Sequence, residues 1–137
     1  MSSDLVLQQL HQAFNQRNIN LFMECFADDY RSEQPLHPDR AFAGKEQVRI
    51  NWDANFKEMP DFTVELLSKQ TGNDTIWAEW NWKGTRIDGS KLHMRGVTLF
   101  GAVGQKIIWA RLYMELVAAD GAGIEVAVKE VMQGKKA

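Results

Sequence analysis

Few side chains in this 137-residue chain combine a reactive type with a suggestive spacing. His37-Pro38-Asp39 sets an imidazole two residues from a carboxylate. Such a pair can act as base and orienter or contribute to a metal site, and the same tripeptide is also ordinary loop chemistry. Glu33 lies just ahead of it, and strand alternation decides whether it is a displaced base or a carboxylate at a pocket rim. Arg95 is a cation inside the apolar run His93-Met94-Arg95-Gly96-Val97-Thr98-Leu99-Phe100. Trp80 and Trp82 share one face of a strand and, with Trp52, Tyr30 and Met114, suit the wall of an aromatic cavity or an aromatic core. Cys25 is the only cysteine, which excludes an internal disulfide and a cysteine-rich zinc site. His11, His37 and His93 fall on separate elements, so neither a metal nor a cofactor is expected. Gly101 to Gly104 lacks the strand-to-helix setting of a phosphate loop.

The elements that must position these groups follow from periodicity. Val6, Leu10, Ala13 and Phe14 recur at helical spacing after Ser2-Ser3-Asp4. Asn18 can cap a short second helix with Leu21 and Phe22. Tyr30 to Gln34 reads as a strand stopped by Pro35, and a loop follows to Gly44. Lys45 to Glu58 is a third helix with Val48, Trp52, Asn55, Phe56 and Met59 on its stripe, ended by Pro60. The period then becomes two, predicting strands at Phe62–Lys69, Thr75–Thr85, Lys91–Ala102 and Lys106–Val117. Ile124 to Val131 suggests a last short helix. Helices first and antiparallel strands after predict an α+β domain over residues 1–137, with helices on one face of a bent sheet.

Composition narrows the partners. Lys and Arg number 16 against 18 Asp and Glu, a net charge of -2, so nucleic acid is not expected. No apolar run approaches the ~20 residues of a membrane span. The first residues carry no secretory pattern, and with one cysteine a cytoplasmic setting is expected. Asn73-Asp74-Thr75 would then never meet the glycosylation machinery, and Lys135-Lys136 is a solvated charge pair.

Turns set register, and register sorts side chains between faces. A tight hairpin at Asp88-Gly89 places Trp82 opposite Arg95, and a turn from Val103 to Lys106 places Val97 opposite Leu112. The inner face then carries Ala78, Trp80, Trp82, His93, Arg95, Val97, Leu99, Ala110, Leu112 and Met114. The outer face carries Trp77, Glu79, Asn81, Lys83, Met94, Gly96, Thr98, Phe100, Trp109, Arg111, Tyr113 and Glu115; its mixture of charges with Trp and Tyr is typical of protein interfaces, and Trp77, Trp109, Arg111 and Tyr113 are the basis for expecting a homodimer through that face. An inward Arg95 must meet either an internal acid such as Glu33 or Glu65, or the anionic or carbonyl group of a ligand.

"INLFMECFADDY", "FAGKEQVRINW", "PDFTVELL", "RGVTLF" and "KIIWARLYMEL", in this order, resemble the nuclear-transport-factor-2-like superfamily and its SnoaL-like polyketide-cyclase branch. The resemblance implies a cone-shaped α/β shell around an apolar pocket, often dimeric through the outer sheet face. Its members include cyclases, isomerases, dehydratases, hydrolases and binding modules, so fold alone does not decide function. Carried over, the isomerase-like base falls at Gln34, the oxyanion Tyr near Leu10 and the buried Asp near Val97. The hydrolase-like Arg matches Arg95, but its acids fall at Val97 and Leu112. The cyclase-like His and Asp fall at Ala110 and Leu112. Two functions remain open: a small hydrophobic ligand with a polar end, bound or transformed without a cofactor, or a dimeric interaction module.

Overall fold

The computed structural model describes residues 2–134; Lys135 and Lys136 lie outside them. Helix α1 (Ser2–Gln16) buries Val6, Leu7, Leu10, Ala13 and Phe14, the stripe its spacing dictates. It is fastened to the sheet by Asn15, whose amide N–H donates to the Val64 carbonyl (3.1 Å) while its oxygen accepts from Val64 N–H (2.7 Å). That pair imitates a ladder partner and occupies part of an edge strand. Asn18 caps α2 (Ile19–Met23) by accepting from Leu21 N–H at 3.0 Å. Helix α3 (Lys45–Glu58) buries Val48 and Phe56, with Trp52 half-buried between them, and a final helix, α4 (Ile124–Met132), closes the chain.

Six strands form one sheet in the order β2-β1-β6-β5-β4-β3: β1 (Phe26–Glu33), β2 (Phe42–Ala43), β3 (Thr63–Gly72), β4 (Thr75–Thr85), β5 (Lys91–Val103) and β6 (Lys106–Leu116). The β1–β6 pair is parallel and the other pairs are antiparallel. The α+β architecture is therefore the one the periodicity predicts. Two strands depart in detail: β1 starts at Phe26 rather than Tyr30, and the expected loop from Pro35 to Gly44 contains β2, a strand too short to show alternation.

The register of β5 is the main correction. Asp88-Gly89 does not form a two-residue hairpin. Gly89 N–H donates to the Arg86 carbonyl, and Arg86 N–H donates to the Ser90 carbonyl, both at 2.8 Å. Gly89 sits at φ +89°, giving a longer loop with a left-handed glycine in place of the tight turn. Pairing closes at Thr85↔Lys91, so Trp82 faces Met94 and Arg95 faces Asn81. The turn from Val103 to Lys106 closes as expected, but a bulge at Ile108 then shifts the β5–β6 pairing to Gly96↔Met114. The two one-residue shifts add to two on β6, which preserves its facing, and leave β5 alone reversed. Met94, Gly96, Thr98 and Phe100 face the helices. His93, Arg95, Val97 and Leu99 face away, contrary to the inner-face assignment.

At Gly96 the β6 backbone leaves no room for a side chain on β5. A Cβ at this position would lie 2.0 Å from the Tyr113 carbonyl oxygen and 2.8 Å from the Met114 Cα. Both obstacles are backbone, so no rotamer change relieves the clash. Gly96→Ala is expected to destabilise the fold by about 3 kcal/mol, at the upper end of overpacking effects; urea denaturation followed by tryptophan fluorescence measures this.

Candidate functional site: an aromatic cavity with a charged rim

The concave sheet face and the helices enclose a cavity of about 770 Å³, within the range of small-molecule sites. Aromatic side chains dominate its wall. Phe14 is central, with ring centroids 5.0 Å from Phe22, 5.1 Å from Trp52, 5.6 Å from Trp80 and 5.6 Å from Trp82. Trp52 and Trp82 meet edge to face at 5.5 Å. These tilted and edge-on arrangements are the favoured ones for rings of like quadrupole.

Five of the residues singled out in the sequence, Trp52, Trp80, Trp82, Tyr30 and Met114, line this cavity. Arg95 does not. It points from the opposite face, where its guanidinium lies 3.4 Å from the Glu79 carboxylate. Its assignment as a pocket cation is corrected by the β5 register, and neither Glu33 nor Glu65 is its partner. Glu33 is exposed and alternates outward from the buried Tyr30 and Ser32, so it has no line into the cavity. His93 also faces outward, with Nε2 2.6 Å from the Asn81 amide oxygen. His37 pairs with a residue distant in sequence and not with its neighbour Asp39: its Nε2 lies 3.0 Å from Glu115 Oε2, and Glu115 lines the cavity at its rim.

Several cavity groups were not found in the sequence. Thr98 is buried and accepts a hydrogen bond from Trp80 Nε1–H at 2.8 Å. Its signal was Gly89, whose left-handed turn sets the register. Arg40 ends a single turn of 3-10 helix (Pro38–Arg40) and Arg86 sits in a loop, and neither stretch is long enough for a period to tell direction. Gln34, assigned to the base position by resemblance, lines the cavity and accepts from Arg40 Nη1–H at 2.9 Å. At the other family positions, Leu10 and Leu112 line the cavity, whereas Val97 lies on the outer face. No acid takes over from Val97, because the inward residues beside it are Gly96 and Thr98.

Inside the rim the wall carries amides, hydroxyls and indoles and, among the described residues, no carboxylate, imidazole or cation. Burial pushes the Tyr30 phenol up to about 12, with the nearby Ser32 hydroxyl opposing only in part. Tyr30 is therefore a hydrogen-bond donor at neutral pH and not a base. The Trp82 indole N–H is buried and has no partner among the described residues. Burial likewise pushes the Cys25 thiol up to about 12, against the pull of Lys106. It bonds to the Leu21 carbonyl at 3.7 Å, which leaves it a poor nucleophile. Among the described residues, no group of three or more His, Cys, Asp or Glu could hold a metal ion.

A half-cone of helices over a bent sheet, closed around an aromatic cavity, defines a nuclear-transport-factor-2-like α+β shell. Residues 7–110 match the SnoaL-like domain family, and the chain belongs to it. Solved structures agree on the fold. A putative SnoaL-like polyketide cyclase from Jannaschia sp. CCS1 is 16% identical, with 98% of this chain and 94% of that chain covered and a TM-score of 0.70. RV0760c from Mycobacterium tuberculosis, solved with estradiol-17β-hemisuccinate, is 18% identical over 82% of this chain and 92% of that one, with a TM-score of 0.70. A hypothetical protein from Catenulispora acidiphila with a ketosteroid isomerase-like fold, solved with trimethylamine, is 16% identical over 77% and 82%, with a TM-score of 0.67. No curated protein matches the chain. No helix among the described residues is long and apolar enough to cross a membrane.

Tyr30 supplies a test of the cavity's polarity. Its phenol is raised in the folded state, so the unfolded chain loses that proton first as pH rises. The Tyr30 contribution to stability is complete below about pH 10 and declines as pH climbs through 10 toward the folded value near 12. Denaturation midpoints measured from pH 8 to pH 12 are expected to fall more steeply for the native chain than for Tyr30→Phe.

Proposed function

We propose that this protein binds one apolar, flat small molecule with a carbonyl or anionic end in the aromatic cavity. The observation that carries the reading is the unpartnered Trp82 indole N–H in the cavity wall. A buried donor left without an acceptor costs roughly 1–3 kcal/mol, and a ligand carbonyl reached by a small turn of the indole removes that cost. The rings of Phe14, Trp52 and Trp82 supply the apolar surface. Tyr30 and the rim amide Asn55 offer further hydrogen bonds. Neighbours of the same fold hold a steroid ester in one case and a small amine in another, which supports a pocket role without fixing the ligand.

Binding without catalysis is favoured by the chemistry of the wall. Enolisation or cyclisation needs a base beside the substrate carbon. The isomerase-like base position is Gln34, an amide, and Tyr30 holds its proton. A second reading, a cofactor-free cyclase or isomerase, rests on the His37–Glu115 pair at 3.0 Å, an acid–base couple touching the rim. A cytoplasmic setting is supported by Cys25, buried as a free thiol.

The naphthyl ketone prodan tests the reading. It is expected to bind saturably at unit stoichiometry, quenching tryptophan emission, and Trp82→Phe is expected to weaken it by about 0.5–1.5 kcal/mol, the scale of a neutral hydrogen bond. No saturable binding up to the probe's solubility limit removes the proposal. Deuterium exchange at the ketone's α-carbon, accelerated by the protein and lost in His37→Ala, moves the chain to the enzyme reading.

The outer face of the sheet is the place for self-association. Trp77 is half exposed there, and Arg111 stacks over Trp109 at 4.6 Å; Tyr113, Val97 and Leu99 complete an apolar strip. This composition, aromatic and arginine-rich, supports a homodimer. Light scattering at micromolar concentration is expected to give twice the 15.7 kDa chain mass, and Trp77→Lys with Trp109→Lys is expected to return a monomer.

A further inference from the structure

Charge is distributed around the cavity in one pattern. The interior wall carries none, and every charged group that lines it lies at the rim: Arg40, Arg86 and Glu115. Glu115 is engaged with His37 at 3.0 Å. The two arginines have no such partner. Arg40 spends Nη1 on the Gln34 amide oxygen, at 2.9 Å. Arg86 spends Nη1 on the Ser90 hydroxyl (3.2 Å) and the Lys91 carbonyl (3.1 Å). Among the described residues, neither guanidinium forms an ion pair with a carboxylate. Asp88, on the turn beside Arg86, is taken up by the Ser90 N–H and hydroxyl. Both arginines are hydrogen-bonded to neutral acceptors; Asp88 attracts Arg86 through space without forming an ion pair, so each guanidinium keeps donors free for an anion.

We infer that the ligand is an amphiphilic organic acid whose apolar aromatic or polycyclic body enters the cavity while its carboxylate or sulfonate stays at the rim against Arg40 and Arg86. This rests on the cavity being a ligand site, and it fixes both the class and the direction of entry. The inner wall selects that direction, because an anion placed among Phe14, Phe22 and Trp52 would lose its hydration with no cation to replace it. At the rim the anion keeps part of its water and gains charge-assisted N–H donors, and guanidinium groups suit planar carboxylates. Glu115 does not reverse the preference, since the rim holds two cations against one carboxylate already paired with an imidazole.

Two probes differing by one charged group separate the possibilities. N-phenyl-1-naphthylamine is neutral, and 8-anilinonaphthalene-1-sulfonate adds a sulfonate to the same ring system. Both brighten in apolar surroundings. The sulfonate is expected to bind roughly ten- to hundredfold more tightly, the scale of a charge-assisted hydrogen bond. In the double variant Arg40→Gln, Arg86→Gln the ratio of the two affinities is expected to fall toward one. In the unaltered chain that ratio is also expected to shrink as salt rises, because rim charges are screened, so the test does not depend on the variant folding. Equal binding of the two probes, or a sulfonate preference indifferent to salt and to both substitutions, overturns the inference and leaves the pocket proposal standing. Binding of neither probe overturns both.

Discussion

The placement of β5 between its neighbours is the constraint on which the cavity depends. In a sheet, a one-residue slip exchanges the two faces of a strand, and β5 contributes to both. In the observed register, Thr98 lies under Trp80 and receives its indole N–H at 2.8 Å, a buried bond that costs dearly if broken on one side. The alternative register would set Val97 and Arg95 against the rings of Phe14 and Trp82. Trp80 would lose its acceptor, and a guanidinium would be desolvated with no carboxylate in reach. The left-handed Gly89 and the bulge at Ile108 hold the strand where both problems vanish, and Arg95 reaches Glu79 on the open face.

From that register follows the polarity of the whole interior. With Gly96 and Thr98 turned inward, β5 presents a bare backbone position and a hydroxyl where related chemistry would need an acid. The bare position is structural as well, since β6 backbone fills the space a Cβ would take. The inner wall therefore combines large rings with neutral dipoles, and among the described residues the charged groups that line the cavity are confined to its mouth. A proton-transfer step in such a site would take place at the rim, near His37 and Glu115. The aromatic floor would hold a substrate without polarising it.

The sequence made the architecture legible wherever a pattern spans many residues. The α1 stripe from Val6 to Phe14, the α3 stripe around Trp52 and the long strands after Pro60 each average over enough positions to overrule a local exception. The aromatic wall was legible for the same reason: Trp80 and Trp82 lie in one unbroken alternation. Arg95 was misplaced because its direction hangs on a single turn. Asp88-Gly89 is compatible both with a tight hairpin and with a longer loop ending in a left-handed glycine, and these differ by one residue. Arg40 and Arg86 escaped notice because they lie outside any periodic stretch, Glu115 was read onto the outer face by alternation, and only the closure of the cone brings the three to one rim. His37 and Glu115 are 78 positions apart, a separation that no local spacing encodes.

The cavity persists because of what lines it. Aliphatic side chains around a void can change rotamer and collapse into it, whereas indole and phenyl rings braced edge to face cannot bend. Phe14 touches Phe22, Trp52, Trp80 and Trp82 at once, so moving one ring disturbs four contacts. Such an arch gives up dispersion contacts on its hollow side, and it leaves the Trp82 N–H unpaired. Packing the hollow with leucines would be a more stable solution for a protein with no need of the space. The free chain thus carries a deficit in packing and in hydrogen bonding at one location, and a flat molecule bearing an acceptor would restore both with no more than a small turn of the Trp82 indole.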